Sequence, residues 1–487
     1  MLFNSYEFIF LFLPLSFFVF YFCNIKGKHK MAWGALFLLS LIFYGWSYPR
    51  AVSVLLGSLL FNYVCSILLR KRKDIKLLFI GIAVNLLVLA FFKYFGSESL
   101  SAPGISFFTF TQIAFLAECW RGGLSDVTAL QYGTYVTFFP KLMQGPIALP
   151  EEWLGQLKGF YRIQWEDIYR CLLLFAAGLF KKVILADTLG KAVDFGYGNL
   201  GALNSADGLI LILSYTLQLY FDFSGYCDMA MGIAGLFGIR LPVNFNSPYK
   251  AANIIEFWQG WHITLTGFFT KYLYIPLGGS RKGRARTYLN CFLVFLVSGI
   301  WHGSGWQFIV WGMMHGLLYV ATRAFFDGKK KNGEQSLTTG KGLSAHVRHG
   351  LGVFFTFVYV NIAWVFFRAP SVKDALALLG TVLRLDFGRL NWDLASCFNL
   401  DEFWYVIKLL KIDRWQYAHY IIMVLFLLVL LLVVFFGRNA VSLAEEVTQK
   451  LSGSFAKLSL VTLVMAVLFV WSVLAFSQVS SFLYFNF

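Results

Sequence analysis

Residues 8–25, 31–48, 51–69, 77–95, 168–187, 350–368, 419–436 and 457–476 are runs of apolar side chains. Each is close to the roughly 20 residues that an α-helix needs to cross a hydrocarbon core about 30 Å thick. That repetition leaves few folds open. Inside lipid every backbone N–H and C=O must be satisfied within the protein, so only helices and closed barrels span it. Alternation of period two between regular turns, the barrel pattern, is absent. Composition agrees: 58% hydrophobic and 14% charged residues, with mean hydropathy +0.66, lie far from a soluble domain. The expectation is an all-α polytopic membrane protein with about eleven transmembrane helices plus re-entrant or interfacial helices. The first run, FIFLFLPLSFFVFYFC, has no Lys or Arg before it and no small-residue cleavage pattern after it, and reads as a retained span.

Loop charge orders the crossings, because Lys and Arg concentrate on the cytoplasmic side. KGKHK (26–30) and RKRKDIK (70–76) are basic, whereas YGWSYPR (44–50) and GSESLSAPG (96–104) share one cation, which places the N-terminus outside. RKGRAR (281–286) and the basic, low-complexity stretch 328–350 read as cytoplasmic, and the uncharged tail falls outside. The chain reads as one integral membrane domain, 1–487. Residues 1–100 form N-terminal spans, 101–326 a catalytic core, 327–349 a cytoplasmic loop and 350–487 C-terminal spans, with an outer interfacial segment at 370–417 where SVKDALALLGTVL is amphipathic. Between about 104 and 280 the apolar pieces are short, broken by Gly and Pro, and carry Glu118, Lys181, Lys182, Asp222 and Asp228. Irregular backbone at membrane depth is tolerated only where protein or a water-filled cavity satisfies it, so the working part is expected there.

Other function classes fit less well. The net charge of +16 is spread over short loops and not gathered in one basic domain, which argues against nucleic acid. The seven cysteines are dispersed without CxxC or zinc-like His spacing, so no metal site is expected. A polysaccharide transporter or flippase would share broken helices, but no related halves are visible.

Residues 292–316, FLVFLVSGIWHGSGWQFIVWGMMHG, contain no ionisable side chain except His302 and His315. In one continuous helix the 13-residue separation would put them on nearly opposite faces, about 20 Å apart. Gly303-Ser304-Gly305 argues instead for a break, with one helix ending near Trp301-His302 and another starting near Trp306. His315 then falls about 15 Å along the second helix, near the bilayer midplane, and His302 near the outer mouth. An imidazole at that depth is costly unless it meets a cavity or a partner. Burial favours its neutral form, which accepts a hydroxyl proton, so a general base beside a hydrated passage is the functional reading. A neutral ring hydrogen-bonded between helices for packing is the bland one.

QLYFDFSGYCDMAMGIAGLFGIRLPVNFNSPYKAANIIEFWQGWHITLTGFFTKYLYIPLGGSRKG (218–283), followed by SGIWHGSGWQFIVWGMMHG, resembles the membrane-bound O-acyltransferase (MBOAT) family, in its bacterial alginate O-acetyltransferase-like branch. PGISFFTFTQIAFLAECWRGG (103–123), TFFPKLMQGPI (137–147), WVFFRAPSVKDALALL (364–379), MLFNSYEFIFLFLP and FLYFNF extend the resemblance over most of the chain. It implies a many-helix fold around a central tunnel, with the family's catalytic histidine at His315 and a second histidine of this branch at His302. It also implies movement of an acetyl group from a cytoplasmic thioester, acetyl-CoA or another acyl donor that is not a tightly bound cofactor. The acceptor is an exopolysaccharide or cell-wall glycan, reached with an extracytoplasmic SGNH-type acetyltransferase partner. The setting is the cytoplasmic membrane of a bacterium, with lipid as the other partner and no nucleic acid. Transfer of D-alanine toward teichoic acids is the alternative within the family. The absence of a GxSxG elbow fits a serine step carried by the partner.

Further tunnel or donor-site candidates are His262, Lys271, Asp222, Trp301 and Gln144. Trp301 joins His302 and a backbone amide as possible oxyanion donors. His262 and Lys271 lie in a Gly- and Pro-interrupted segment suited to the cytoplasmic entrance, and Asp222 is weighed as structural or tunnel-lining. The chain departs from its branch at Gln259-Gly260, where two arginines are usual, and at Lys271, where an acidic residue is usual. Both departures fall on the donor side and leave the His302 and His315 motif intact.

Overall fold

The computed structural model describes residues 1–95, 102–124, 126–157, 163–331, 343–400, 404–450, 455–478 and 482–483. Residues 332–342 of the expected cytoplasmic loop (327–349), parts of GSESLSAPG and of 370–417, and most of the closing FLYFNF lie outside them. The described residues are overwhelmingly helical and contain no strand. Among the described residues, six helices are long and apolar enough to cross a membrane: Glu7–Ile25, Pro49–Arg72, Ile75–Phe95, Trp306–Lys329, Ala345–Arg368 and Ala418–Phe436. Leu458–Leu474 is a shorter apolar helix. The remaining crossings of the expected eleven do not meet that standard as single apolar helices. In 104–280, apart from the long helix Ser205–Leu236, the chain runs in shorter helices interrupted by π turns, with polar residues retained inside.

The chain divides into two compact units: Met1–Phe180 with Phe223–Val243 and Ala440–Phe487, and Lys181–Asp222 with Asn244–Asn439. In the first unit the helix Ile105–Arg121 is buried on all sides from Ile105 to Cys119, so its polar side chains must be satisfied within the protein. Its Gln112 meets polar groups of the helix Pro49–Arg72, which in turn bond to Ile75–Phe95. Asn62 donates to Gln112 (2.7 Å) and Asn85 (3.1 Å), Asn85 donates back to Asn62 (2.7 Å), and Ser58 donates to Gln112 (2.7 Å). Such side-chain hydrogen bonds hold helices together where lipid supplies no hydrophobic drive.

The second unit holds the elements named below. Helix α1 (Ser205–Leu236) carries the boundary between units within its length. Helices α2 (Ile254–Gly260) and α3 (Ile263–Phe269) are short and interrupted, followed by a π turn at Thr270–Tyr274. Helices α4 (Arg284–His302), α5 (Trp306–Lys331) and α6 (Leu343–Arg368) are long. Asn253 caps α2 by accepting from the Ile255 and Glu256 amides (3.1 Å each). Val372–Leu383, inside the segment expected at the outer interface, forms a helix capped by Ser371.

Candidate active site

The site starts from three glycines. Helices α4 and α5 are joined only by Gly303-Ser304-Gly305 and run back along each other as a hairpin. A Cβ on Gly299 would lie 2.5 Å from the Phe308 carbonyl oxygen, one on Gly312 2.6 Å from that of Phe295, and one on Gly316 3.0 Å from the Phe292 ring. Only hydrogen fits at the first two, and the backbones close up as they do at small-residue seams in membranes. The break therefore brings together what a through-helix would hold apart. Trp311 touches both imidazoles, with ring centroids 5.0 Å from His302 and 4.9 Å from His315.

The His315 ring has no exposed surface. Around it stand Trp258 (centroid 5.1 Å), Trp311, Tyr359 and Trp364 (6.0 Å each for the last two), and Phe257 and Phe295 (6.4 Å each). The expected hydrated passage does not reach this ring: aromatic side chains cover it. Its one hydrogen bond comes from Trp258, whose indole N–H donates to Nδ1 at 3.3 Å. An accepting Nδ1 carries the lone pair, so the proton of the neutral ring sits on Nε2. Nε2 has no partner among the described residues, nor do the indole nitrogens of Trp311 and Trp364.

A cavity of about 240 Å³ adjoins this cluster. Trp258 and Phe295 line it and also contact His315. Its walls are mostly apolar, with Gln259, Tyr274, Cys291, Tyr319 and Arg323 among them. Arg323 follows His315 by eight residues on α5, about 12 Å along the axis, and its Nη1 lies 3.5 Å from Cys291 Sγ. An apolar slot with one arginine in its lining and a shielded imidazole behind one of its indoles suits a ligand with an anionic end and a small apolar reacting end.

The membrane-bound O-acyltransferase family model matches residues 108–333, which include both histidines and the whole cavity lining. Peptidoglycan O-acetyltransferase of Helicobacter pylori is 37% identical over 436 residues, covering 79% of this chain and 80% of its own length. The chain belongs to the MBOAT family. It is also similar to the probable alginate O-acetylase AlgI of Pseudomonas aeruginosa, 33% identical over 402 residues (77% of this chain, 73% of that protein). Teichoic acid D-alanyltransferase of Bacillus subtilis matches at 28% over 247 residues, 48% of this chain and 61% of that protein.

In this MBOAT acyltransferase the other residues singled out by sequence take different places. His302 is buried between Trp301 (4.4 Å), Trp311 and Phe367 (4.9 Å). Trp301 is buried beside it. His262 caps α3 in left-handed backbone (φ 44°, ψ 51°), and its Nδ1–H donates to Asn244 Oδ1 at 3.1 Å. The same oxygen accepts from the Thr264 amide (3.2 Å) and hydroxyl (2.9 Å), and the Asn244 carbonyl accepts from the Ile263 amide (3.0 Å). His262 thus belongs to a stitch between two loops. Lys271 is half-buried with Nζ 5.6 Å from the Tyr272 ring. Its neighbours Thr270 and Tyr274 line the cavity, and Lys271 is not one of the lining residues. Asp222 accepts from Lys182 Nζ at 2.8 Å, and Asp187 accepts from the same ammonium at 2.8 Å. All three are buried, and a charge there needs such partners. Gln144 belongs to the first unit, where it is fully buried and its side-chain amide has no partner among the described residues. No group of three metal-ligating side chains occurs among the described residues.

Sequence reasoning missed Trp258, Trp364 and Arg323 as members of this site. Nothing in the chain marks one indole among 15 tryptophans. Arg323 did carry a signal, because it is a cation eight residues beyond His315 in WQFIVWGMMHGLLYVATRAFF, and charges within crossing helices mark function.

Proposed function

We propose that this chain moves an acetyl group from a cytoplasmic thioester across the membrane for O-acetylation of a cell-surface polysaccharide or peptidoglycan in a bacterial cytoplasmic membrane. The observation that carries the reading is the cavity lined by both Arg323 and Trp258, the latter one hydrogen bond from His315 Nδ1. Names of similar proteins support the acyl group and acceptor class: one acts on peptidoglycan and another on alginate.

The thioester, acetyl-CoA or another acyl carrier, enters with its anionic part toward Arg323 and its acyl carbon toward Trp258. Gln259 lines this cavity where the branch usually has arginine, which leaves Arg323 as the cation of the lining. Displacement of the Trp258 indole frees the lone pair on Nδ1. The acceptor hydroxyl then gives its proton to Nδ1 as its oxygen attacks the thioester carbonyl. Collapse of the tetrahedral intermediate breaks the C–S bond, and the departing thiolate takes the proton, leaving an ester and a free thiol. Aromatic packing around the ring keeps water from competing. An SGNH-type partner outside the membrane completes transfer to the polymer.

The test is the ester released by mild base from the surface polymer of cells carrying wild type, His315→Gln or Arg323→Gln at matched protein levels. Acetate lost with His315→Gln, and reduced with Arg323→Gln in a way that excess donor restores in isolated membranes, supports the reading. Unchanged acetate with His315→Gln overturns it, and release of D-alanine in place of acetate would move the acyl group to the other branch of the family.

A further inference from the structure

The buried donors around His315 have a one-sided character. Trp311 Nε1 and Trp364 Nε1 are N–H groups without an acceptor among the described residues, and Nε2 of His315, protonated in the tautomer that Trp258 imposes, is a third. Trp311 and Trp364 are 0% and 1% exposed, so neither indole finds bulk water. The two rings stack at 5.8 Å and 19°, and both lie against His315. Buried polar groups in native proteins are almost always paired, and an unpaired one loses the free energy of its missing hydrogen bond. A bicyclic side chain of the same shape without the N–H would avoid that loss, so three unpaired donors in contact call for an acceptor that is present only during turnover.

Position distinguishes Trp311 from its neighbour. Its ring lies 4.9 Å from His315 and also 5.9 Å from Trp258, the indole that occupies the approach to Nδ1. An oxygen that replaces the Trp258 N–H at Nδ1 therefore arrives beside Trp311. Negative charge develops one bond from there, on the former carbonyl oxygen of the thioester. Hydrogen-bond donors held ready for that charge in a dry site do more for rate than for binding, because the ground-state carbonyl is a weaker acceptor than the oxyanion.

We propose that Trp311 is a catalytic residue whose indole N–H donates to the oxyanion of the tetrahedral intermediate. This rests on the acyl-transfer reading above, with His315 as the base. In this site Trp311 keeps an unpaired N–H in the resting protein and pairs it in the transition state.

The experiment uses purified full-length protein in lipid nanodiscs with radiolabelled acetyl-CoA and a soluble hydroxyl acceptor. Wild type, Trp311→Phe and His315→Gln are compared for kcat, KM and melting temperature. Trp311→Phe is expected to lower kcat by about 100-fold, the loss typical of one oxyanion donor, with donor KM within about twofold. Its smaller ring leaves a cavity and lowers the melting temperature, so stability is read on an isosteric variant. A second variant guards against a packing defect: β-(3-benzothienyl)alanine at position 311 keeps both rings and lacks the N–H, and should show the same loss. Full kcat in that variant, with His315→Gln inactive, overturns the role of Trp311 and leaves the base intact. Activity retained by His315→Gln overturns the reading on which both depend.

Discussion

Two imidazoles in the second unit are equally hidden and unequally held. His262 lies in strained left-handed backbone, and its acceptor Asn244 is tied by three further hydrogen bonds to the residues that follow it. His315 lies in regular helix, with one long hydrogen bond from an indole and one ring nitrogen unpaired among the described residues. Burial alone does not mark a working histidine. What separates the two is what holds Nδ1: an amide oxygen fixed within a loop for His262, and the indole of a cavity-lining side chain for His315. His262 is paired into the loop that shapes α2 and α3, and His315 stands behind the Trp258 indole, which also lines the slot.

The largest expected effect comes from the backbone that makes this contrast possible. Gly312→Leu would drive a side chain into the Phe295 carbonyl, where a Cβ alone already lies 2.6 Å away. Overpacking costs roughly 1–3 kcal/mol or more, so the variant should melt well below wild type and lose acyl transfer. Gly267, in α3 near His262, has no atom within 4 Å of an added Cβ. Gly267→Ala should leave both melting and transfer unchanged, and equal damage from the two substitutions would remove the distinction between a tight hairpin and a roomy loop.

Smaller is the cost of unstitching the loop. His262→Ala removes a buried donor and should cost about 1–3 kcal/mol, seen as a lower melting temperature in detergent with transfer per folded molecule retained. Smaller still is a pH effect at the same residue, which lies outside the six crossing helices. Burial pushes its imidazole down to about 3 from 6.5. The unfolded chain therefore binds a proton below about pH 6.5 that the folded one refuses, so stability is fully present above that pH and drains away as pH falls toward 3. His262→Gln should flatten melting temperature against pH in that window. A slope unchanged by the substitution would show that the ring is not the group responsible.

The same two residues show how far the chain could be read without coordinates. Lengths and polarity of the apolar runs lead to an all-helical membrane protein, because lipid permits little else. Gly303-Ser304-Gly305 leads to the break, and the break falls between His302 and Trp306. The motif residues themselves pointed to the MBOAT family, which the matched relatives bear out. Illegible was the company each histidine keeps. The pairing of His262 with Asn244 spans 18 residues and that of His315 with Trp258 spans 57, and no periodicity reports contacts of that kind. For the same reason the chain did not show that aromatic rings shut His315 off, or that Lys182 holds Asp222 and Asp187 together.

The most direct test places His315→Gln and His262→Gln side by side in nanodiscs, with transfer of labelled acetyl measured per folded molecule. A positioned general base contributes about 10²–10⁴-fold, so His315→Gln should lose at least about 100-fold while His262→Gln stays within about threefold of wild type. Equal losses, or a larger loss at position 262, would contradict the assignment of proton transfer to the imidazole behind Trp258.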